Sequence, residues 1–176
     1  MKSIYTKTGD TGTTAIREGV RVYKDDPRIE ANGQTDHLNS LLGIVRSLLP
    51  AESEAAVMIR DIQRELMVVM SHVATPGGSA NPRRLGVDDL TLRMERYIDT
   101  QRGGGGFVLA GESTVTAFMH AARTQARTAE RRLVSLARTA TIDGGILVFM
   151  NRLSDWLFAL SVEYTPRQAT ENNVNR

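Results

Sequence analysis

The sequence contains no cysteine, and this absence removes two kinds of site. With none among its 176 residues, neither a disulfide framework nor a thiolate metal site is available. The first ten residues, MKSIYTKTGD, lack the continuous apolar stretch of a signal peptide. No apolar run approaches the roughly 18 residues that suggest a membrane span. We therefore expect a cytoplasmic protein with no membrane association.

Aromatic residues and net charge are also scarce. Phe, Trp and Tyr make up 5% of the chain, and the formal net charge is only +2. Proteins that bind single-stranded nucleic acid alternate stacking aromatic residues with basic ones along a groove. Because this sequence has no such alternation, we expect no nucleic-acid partner.

Apolar residues recur at three- and four-residue spacing, which predicts helices. The predicted helices are one between Pro27 and Pro50, one from about Ala51 to the loop TPGGSANP, one in GVDDLTLRMERYIDTQ, one from Glu112 or Ser113 to about Arg138, and one from about Ile146 to Val162. No strand is evident. The sequence thus predicts an all-α fold, a five-helix bundle with an extended N-terminal segment.

The length and the 41% hydrophobic content fit one domain of roughly 100 to 200 residues. Within it we distinguish an N-terminal segment at 1–28, a helical bundle at 29–163 and a flexible tail at 164–176. The tail is too polar to pack against a core.

Polar side chains form a stripe on the fourth predicted helix. Arg123, Arg127, Glu130 and Arg131 fall at positions i, i+4, i+7 and i+8 of one face. Similar stripes occur on the first and last helices: Asp36, Asn39, Ser40 and Gly43, and Asn151, Ser154 and Asp155. A solvated face with ion pairs is the ordinary interpretation of such a run. Facing polar stripes are, however, also where helix bundles build ligand sites.

The N-terminal stretch TKTGDTGTT favours the ligand interpretation. Glycines let backbone N–H groups approach phosphate oxygens, threonine hydroxyls can donate to them or bind Mg²⁺, and Lys7 and Lys24 add charge. Arginine binds oxyanions through two parallel hydrogen bonds. A nucleoside triphosphate fits this chemistry. The stretch alone is a weak signal, since it lacks the G-x-x-x-x-G-K-[ST] pattern.

Four ordered motifs together are more specific. They are TKTGDTGTT, GVRVYKDDPRIEANGQTDHLNSLLG, RTQARTAERRL and MNRLSDWLF. In this order and spacing the chain resembles the ATP:cob(I)alamin adenosyltransferases of the trimeric corrinoid adenosyltransferase type, over about Ile4 to Leu160. The resemblance implies a five-helix bundle that forms a homotrimer. It also implies that ATP binds with Mg²⁺ between subunits and donates its adenosyl group to reduced cobalamin, releasing triphosphate.

The resemblance also assigns ATP-binding residues. The residues that would wrap the triphosphate are Thr6, Lys7, Thr8, Gly9, Asp10, Gly12 and Thr13. Arg21 and Lys24 would add positive charge there, and Arg131 would also hold phosphates. Glu130 and Asn151 would position the adenosine.

Two further roles follow from the resemblance. Asp36 and Arg127 would pair across the subunit boundary and shape the active site, and Phe107 would lie on the corrinoid side. No metal ligand set is expected from His37, His72 or His120, because single histidines seldom bind metal without partners.

The chain departs from the family pattern at Thr128, where an arginine is usual, at Ala110 and Glu112, where a proline and a glycine are usual, and near Val162, where an arginine is expected. These changes leave three hypotheses. The first is a corrinoid adenosyltransferase. The second is a non-catalytic paralogue that binds ATP or a corrinoid as a sensor or carrier. The third is a helical scaffold without a ligand.

Overall fold

The computed structural model describes residue 5 and residues 7–77, 84–101 and 109–165. Within these ranges the chain forms five α-helices and one two-stranded antiparallel sheet. The elements are β1 (Thr13–Ala15), β2 (Arg21–Tyr23), α1 (Pro27–Ser47), α2 (Glu54–Val73), α3 (Val87–Thr100), α4 (Thr114–Ala137) and α5 (Gly144–Glu163). The predicted five-helix fold is confirmed. The small sheet is an addition that the sequence did not indicate.

Side-chain caps fix where four of the helices begin. Asp26 accepts a hydrogen bond from the backbone N–H of Arg28 at 2.8 Å, and Asp143 accepts one from the N–H of Gly145 at 2.8 Å. Ser53 caps α2, and Ser113 forms a capping box at the start of α4. Each cap satisfies an N–H group that the first helical turn leaves unpaired. The cap at Ser53 explains why α2 begins at Glu54 rather than at the predicted Ala51.

The helices pack as a closed bundle. Helix α1 lies between α2 and α4, α5 packs against α4 and α3, and α3 meets the edge of α2. Contacts between Glu130 and Asn151 and between His120 and Phe158 show that α4 and α5 run antiparallel. Helices α4 and α5 therefore lie side by side, and we call the surface along their shared outer edge the α4–α5 groove.

Helix α5 is the most apolar part of the chain. By length and composition it could cross a membrane: its 20 residues include a window with a mean hydropathy of 1.3. Of that window, 56% is buried inside the bundle, and Phe149, Met150 and Trp156 are almost fully enclosed. The apolar character of α5 is thus accounted for by core packing.

The N-terminal hairpin is attached to the C-terminal end of α2. Between the strands, a single helical turn at Arg17–Gly19 contains two left-handed residues, Glu18 at φ 63° and Gly19 at φ 74°. The backbone N–H of Arg17 donates to the carbonyl of Ala74 at 3.2 Å, and its guanidinium donates to Ser71 Oγ at 2.9 Å. These bonds fix the hairpin, and the loop before it, at one end of the bundle.

Candidate functional site

The loop at 7–12 has the backbone form of an anion-binding turn. Lys7 and Gly12 adopt left-handed conformations, with φ of 59° and 82°. Two turns lie between them: the N–H of Asp10 donates to the carbonyl of Lys7, and that of Gly12 to the carbonyl of Gly9, both at 3.3 Å. Left-handed residues within turns make concave arrays of N–H groups that suit phosphate oxygens. Lys7 is a non-glycine residue in this region, a strained conformation that often marks functional sites.

Arg21 braces this loop. Its guanidinium Nη2 donates to the backbone carbonyl of Thr8 at 2.7 Å and to that of Thr13 at 3.3 Å, and it also bonds the Thr13 hydroxyl. Lys24 contributes from the other side, because its N–H donates to the carbonyl of Gly12 at 2.9 Å. Its ammonium group lies beside Gly9. The structure thus brings the predicted charges of Arg21 and Lys24 to the loop, whereas Thr6 lies outside the described residues.

We expect glycine at position 12 to matter more than glycine at position 9. A Cβ on Gly12 would meet no atom within 4 Å, so the cost of Gly12→Ala lies in its φ of +82°. A left-handed alanine costs roughly 1–2 kcal/mol, so if the loop binds phosphate oxygens we expect about 5- to 30-fold weaker binding of inorganic tripolyphosphate in calorimetry. Gly9→Ala is the matched control: its Cβ would make an ordinary contact at 3.4 Å with the Lys24 side chain. Equal losses in both variants would contradict the conformational explanation.

A second group of predicted residues meets on the α4–α5 groove. Asn151 Nδ2 on α5 donates to Glu130 Oε1 on α4 at 3.1 Å, which fixes one carboxylate oxygen. The next residue, Arg131, is exposed, and its Nη2 donates to the hydroxyl of Thr128 at 3.0 Å. That hydroxyl donates in turn to the carbonyl of Thr124 at 3.2 Å. Thr128 therefore orients the arginine, a role that the sequence did not suggest.

Asp36 and Arg127 are exposed on the outer faces of α1 and α4. Among the residues that the structure describes, neither side chain takes part in an ion pair. Other residues join the two helices: Arg132 pairs with Glu30 at 3.2 Å, and Gln125 Nε2 donates to the Gln34 carbonyl at 2.9 Å. Within a single chain, Asp36 and Arg127 are thus both available to bind something else.

Of the three predicted polar stripes, those of α4 and α5 meet at Glu130 and Asn151, whereas part of the α1 stripe lies toward α2. In α1, Asn39 and Gly43 lie toward α2, where Gln63 Nε2 donates to the carbonyl of Asn39 at 3.0 Å. In α5, Ser154 is buried, and Asp155 pairs with Arg152 at 3.1 Å. Only part of each stripe is left to face a ligand.

The two groups of predicted ATP-binding residues lie on different edges of the bundle. The loop and hairpin are bonded to the end of α2, whereas Glu130, Arg131 and Asn151 lie on α4 and α5, and α1 packs between α2 and α4. In the described part of the chain, the side-chain hydrogen bonds of Glu130, Arg131 and Asn151 stay within α4 and α5. We call these two groups of predicted residues the half-sites.

Among the described residues, the structure adds no contact to the candidate site from the neighbours of Phe107 or from His120. Phe107 lies outside the described residues, and the neighbouring Ala110 and Glu112 are exposed just before α4. Among the described residues, no group of three or more His, Cys, Asp or Glu side chains is placed to hold a metal ion. His120 is buried against Phe158 at 6.4 Å between ring centroids, and burial, with a smaller effect of Arg123, lowers its pKa. Burial therefore favours the neutral form of the His120 imidazole.

A cavity of about 350 Å³ opens at the end of the bundle opposite the hairpin. It is lined by Met58 of α2, Tyr97 of α3 and Trp156 of α5, among others. The Tyr97 hydroxyl bonds Glu163, and burial together with that carboxylate raises the pKa of Tyr97. None of the predicted site residues lines this cavity, so it is separate from both half-sites.

Comparison with known proteins agrees with the sequence motifs. The family described as cobalamin adenosyltransferase matches residues 4–164. A corrinoid adenosyltransferase of Citrobacter freundii is 36% identical over 92% of this chain and 94% of its own length. The human corrinoid adenosyltransferase MMAB is 35% identical over 99% of this chain and 73% of its own length. The PduO protein of Citrobacter freundii is 34% identical, and the chain spans 52% of it.

Solved structures give the same result. A variant PduO-type ATP:corrinoid adenosyltransferase from Lactobacillus reuteri, complexed with cobalamin and ATP, superposes with a TM-score of 0.82 at 34% identity. The match covers 90% of this chain and 89% of that one. A second variant of that enzyme, complexed with ATP, gives a TM-score of 0.80. With its five-helix fold, its N-terminal loop and its Glu130–Asn151 pair, the chain belongs to the cobalamin adenosyltransferase family.

Proposed function

We propose that this protein transfers the adenosyl group of ATP to the cobalt of cob(I)alamin, forming adenosylcobalamin and releasing triphosphate. The observation that carries the proposal is the loop at 7–12, with its two left-handed residues and its brace from Arg21, in a chain of this family. Such a loop suits a polyphosphate, and ATP supplies both a polyphosphate and an adenosyl group.

In this reaction no protein side chain has to form a covalent bond to a substrate. Cobalt(I) uses its own electron pair to attack the ribose 5′ carbon, a Co–C bond forms, and the C–O bond to the triphosphate breaks, with the electron pair leaving on oxygen. The corrinoid substrate thus carries the nucleophile, and no catalytic serine, cysteine or general base is required. What remains for the chain is to hold the 5′ carbon near the cobalt, a proximity effect of up to roughly 7 to 11 kcal/mol.

The chain also has to stabilise the charge that develops on the departing triphosphate. Lys7, Lys24 and Arg131 are all exposed and can reach phosphate oxygens. Mg²⁺ would add charge there, and it commonly binds through substrate phosphates and water with only one or two protein oxygens. Asp10 and the threonine hydroxyls of the loop suit that sparse donor set. Preorganised cations of this kind lower the barrier because they act where charge appears.

We propose further that the active site is shared between subunits of a homotrimer. The support is that the half-sites lie on different edges of one chain and that Asp36 and Arg127 are exposed without an intrachain ion pair. In this arrangement residues 1–28 of one subunit wrap the triphosphate and Glu130 and Asn151 of a neighbour hold the adenosine. The division of the chain into residues 1–28, 29–163 and 164–176 stays a prediction, and the cytoplasm is the proposed location.

An anaerobic assay tests the function. Reduced cobalamin and Mg-ATP are mixed with the protein, and adenosylcobalamin is followed by its absorbance and triphosphate by chromatography. We expect the two products in equal amounts. No product above the enzyme-free background would contradict the proposal. If calorimetry then showed ATP binding without turnover, the sensor or carrier alternative would be favoured, for which the replaced arginine at Thr128 is the motivating observation.

Thr128 offers a prediction specific to this chain. Thr128→Val removes the hydroxyl that accepts the hydrogen bond from Arg131 at 3.0 Å while keeping the side-chain shape. Because one such bond contributes about 0.5–1.5 kcal/mol, we expect KM for ATP to rise roughly 2- to 10-fold, with KM for cobalamin unchanged. Thr128→Ser retains the hydroxyl and serves as the matched control. If Val and Ser variants behave alike, Thr128 does not orient Arg131.

A further inference from the structure

The cavity of about 350 Å³ at the end of the bundle opposite the hairpin lies between α2, α3 and α5. Helix α3 packs on α5 and α2 packs on α1, so α2 and α3 meet only along one edge, and the small side chain of Ala55 leaves the space beside that edge unfilled. Packed protein interiors contain few voids larger than a water molecule, whereas small-molecule sites usually measure roughly 300–1,000 Å³. Among the described residues that line this space, none belongs to either half-site. We call it the Trp156 cavity.

The inner end of the Trp156 cavity is aromatic. Trp156 is 1% exposed, and its ring meets that of Tyr97 edge to face, with 6.0 Å between the centroids and 64° between the planes. The two rings therefore form a corner. A hydrogen bond from the Tyr97 hydroxyl to Glu163 holds the tyrosine ring in place. The apolar side chains of Met58 and Val57 extend this lining, so the cavity has a preformed wall for an apolar molecule.

The mouth of the cavity carries an excess of negative charge. Glu52 and Glu54 line it and are exposed, and neither takes part in an ion pair within the described part of the chain. Among the described lining residues, Arg93 is the one with a positive charge. Its Nη1 lies 3.1 Å from the carboxylate of Asp61 and 4.0 Å from that of Asp89. A ligand at the mouth therefore meets two uncompensated carboxylates and an arginine that is already paired.

We propose that the Trp156 cavity binds a small organic cation, an ammonium or related group carried on an apolar body. The body packs into the corner of Trp156 and Tyr97, and the positive group lies toward Glu52 and Glu54. Aromatic ring faces attract cations, which adds to the attraction of the carboxylates. An anion of the same shape fits less well, because it would approach two unpaired carboxylates and could bind Arg93 only in competition with Asp61. This site is separate from adenosyl transfer and does not rest on the proposed function.

Fluorescence tests the proposal, because Trp156 is the only tryptophan in the sequence and lines the cavity. The three ligands to compare are 2-phenylethylammonium, the neutral 2-phenylethanol and the anion phenylacetate, which share a phenyl ring and differ in charge. We expect 2-phenylethylammonium to bind with a Kd on the order of 1 mM or below. It should bind roughly 2- to 30-fold more tightly than the alcohol, and phenylacetate should bind most weakly.

Two variants separate the charge of the site from its shape. Glu52→Gln combined with Glu54→Gln keeps the outline of the mouth, so affinity for 2-phenylethylammonium should fall roughly 3- to 10-fold while affinity for 2-phenylethanol stays unchanged. Ala55→Phe fills the cavity and should abolish binding of both. Since the glutamine variant alters only exposed side chains, it decides even if Ala55→Phe does not fold. Asp99→Asn, exposed on α3 and outside the lining, is the matched control for the loss of a negative charge and should alter neither affinity.

Three results would overturn the inference. One is unchanged Trp156 fluorescence at every concentration of 2-phenylethylammonium. Another is equal affinity for the three ligands, or an equal loss in the glutamine and Asp99 variants, which would mean that binding does not depend on the acidic mouth. The third is displacement of the cation by saturating Mg-ATP or hydroxocobalamin in equilibrium dialysis, which would assign the cavity to a substrate. Retention of the cation in the presence of both supports a separate site. Failure of the adenosylation assay would contradict the proposed function and not this inference.

Discussion

Replacing Asp36 with asparagine is expected to lower turnover or trimer stability by roughly 100-fold or more. In a single chain Asp36 and Arg127 are both exposed, and the proposed trimer buries them against each other. Removing one partner of a buried ion pair costs about 3–5 kcal/mol, because it leaves an uncompensated charge. The single variant Arg127→Lys should also lose function, since an ammonium group cannot replace the planar guanidinium in a bidentate contact. Turnover and sedimentation, measured together, distinguish a loss of chemistry from a loss of assembly.

Charge reversal makes this test specific. Asp36→Arg combined with Arg127→Asp should recover part of what each single reversal loses, and a double-mutant cycle gives the coupling energy. The matched control is the pair Glu30–Arg132, which lies within one chain at 3.2 Å with side chains 43% and 54% exposed. An exposed pair of that kind is worth at most about 1 kcal/mol. A coupling energy near zero for Asp36 and Arg127 would mean that they are solvent-exposed side chains that do not pair between subunits.

Replacing Arg131 with alanine is expected to lower kcat/KM for ATP by roughly 100- to 1,000-fold, the range seen when one donor to a developing negative charge is removed. The arginine is exposed and oriented by Thr128, so it is placed to bind phosphate oxygens without rearrangement. Arg131→Lys keeps the charge but loses the two-pronged geometry, and an intermediate loss is expected.

The control for Arg131 is another exposed arginine outside both half-sites. Arg96 on α3 takes part in none of the ion pairs present among the described residues. Arg96→Ala should leave kcat/KM within about twofold of the wild type, as surface substitutions usually do. A similar loss in both variants would attribute the effect to net charge. Full activity in Arg131→Ala would remove this residue from the site.

The helices could be predicted because their apolar spacing is a local property of the sequence. Local signals also mark helix starts: Pro27 for α1, and the caps at Ser53 and Ser113 for α2 and α4. The apolar spacing alone did not indicate the cap at Ser53, so the predicted start of α2 lies three residues before the observed one. The hairpin was missed for the opposite reason. Its strands have only three residues each, and its position depends on bonds from Arg17 to α2, which no local pattern reveals.

The site was predictable in its residue types and less so in its arrangement. The stripe on α1 looked continuous, yet packing against Gln63 turns Asn39 and Gly43 toward α2. At Thr128 the sequence shows only that the arginine usual in the family is absent. The hydrogen bond from Arg131 to the threonine hydroxyl is visible only in the structure.

The claim that each active site is assembled from two copies of the chain is tested most directly by mixing inactive variants. One variant carries Arg131→Ala on α4, and the other carries Lys7→Ala with Lys24→Ala at the N-terminal loop. After the subunits are dissociated and reassembled at equal amounts, about a quarter of the shared sites should contain two intact halves, and adenosylcobalamin formation should reappear to that extent. Mixing Arg131→Ala with Asn151→Ala, both in the same half-site, should restore nothing. If the first mixture shows only the sum of the separate residual activities, each chain carries its own complete site and the shared-site account is wrong.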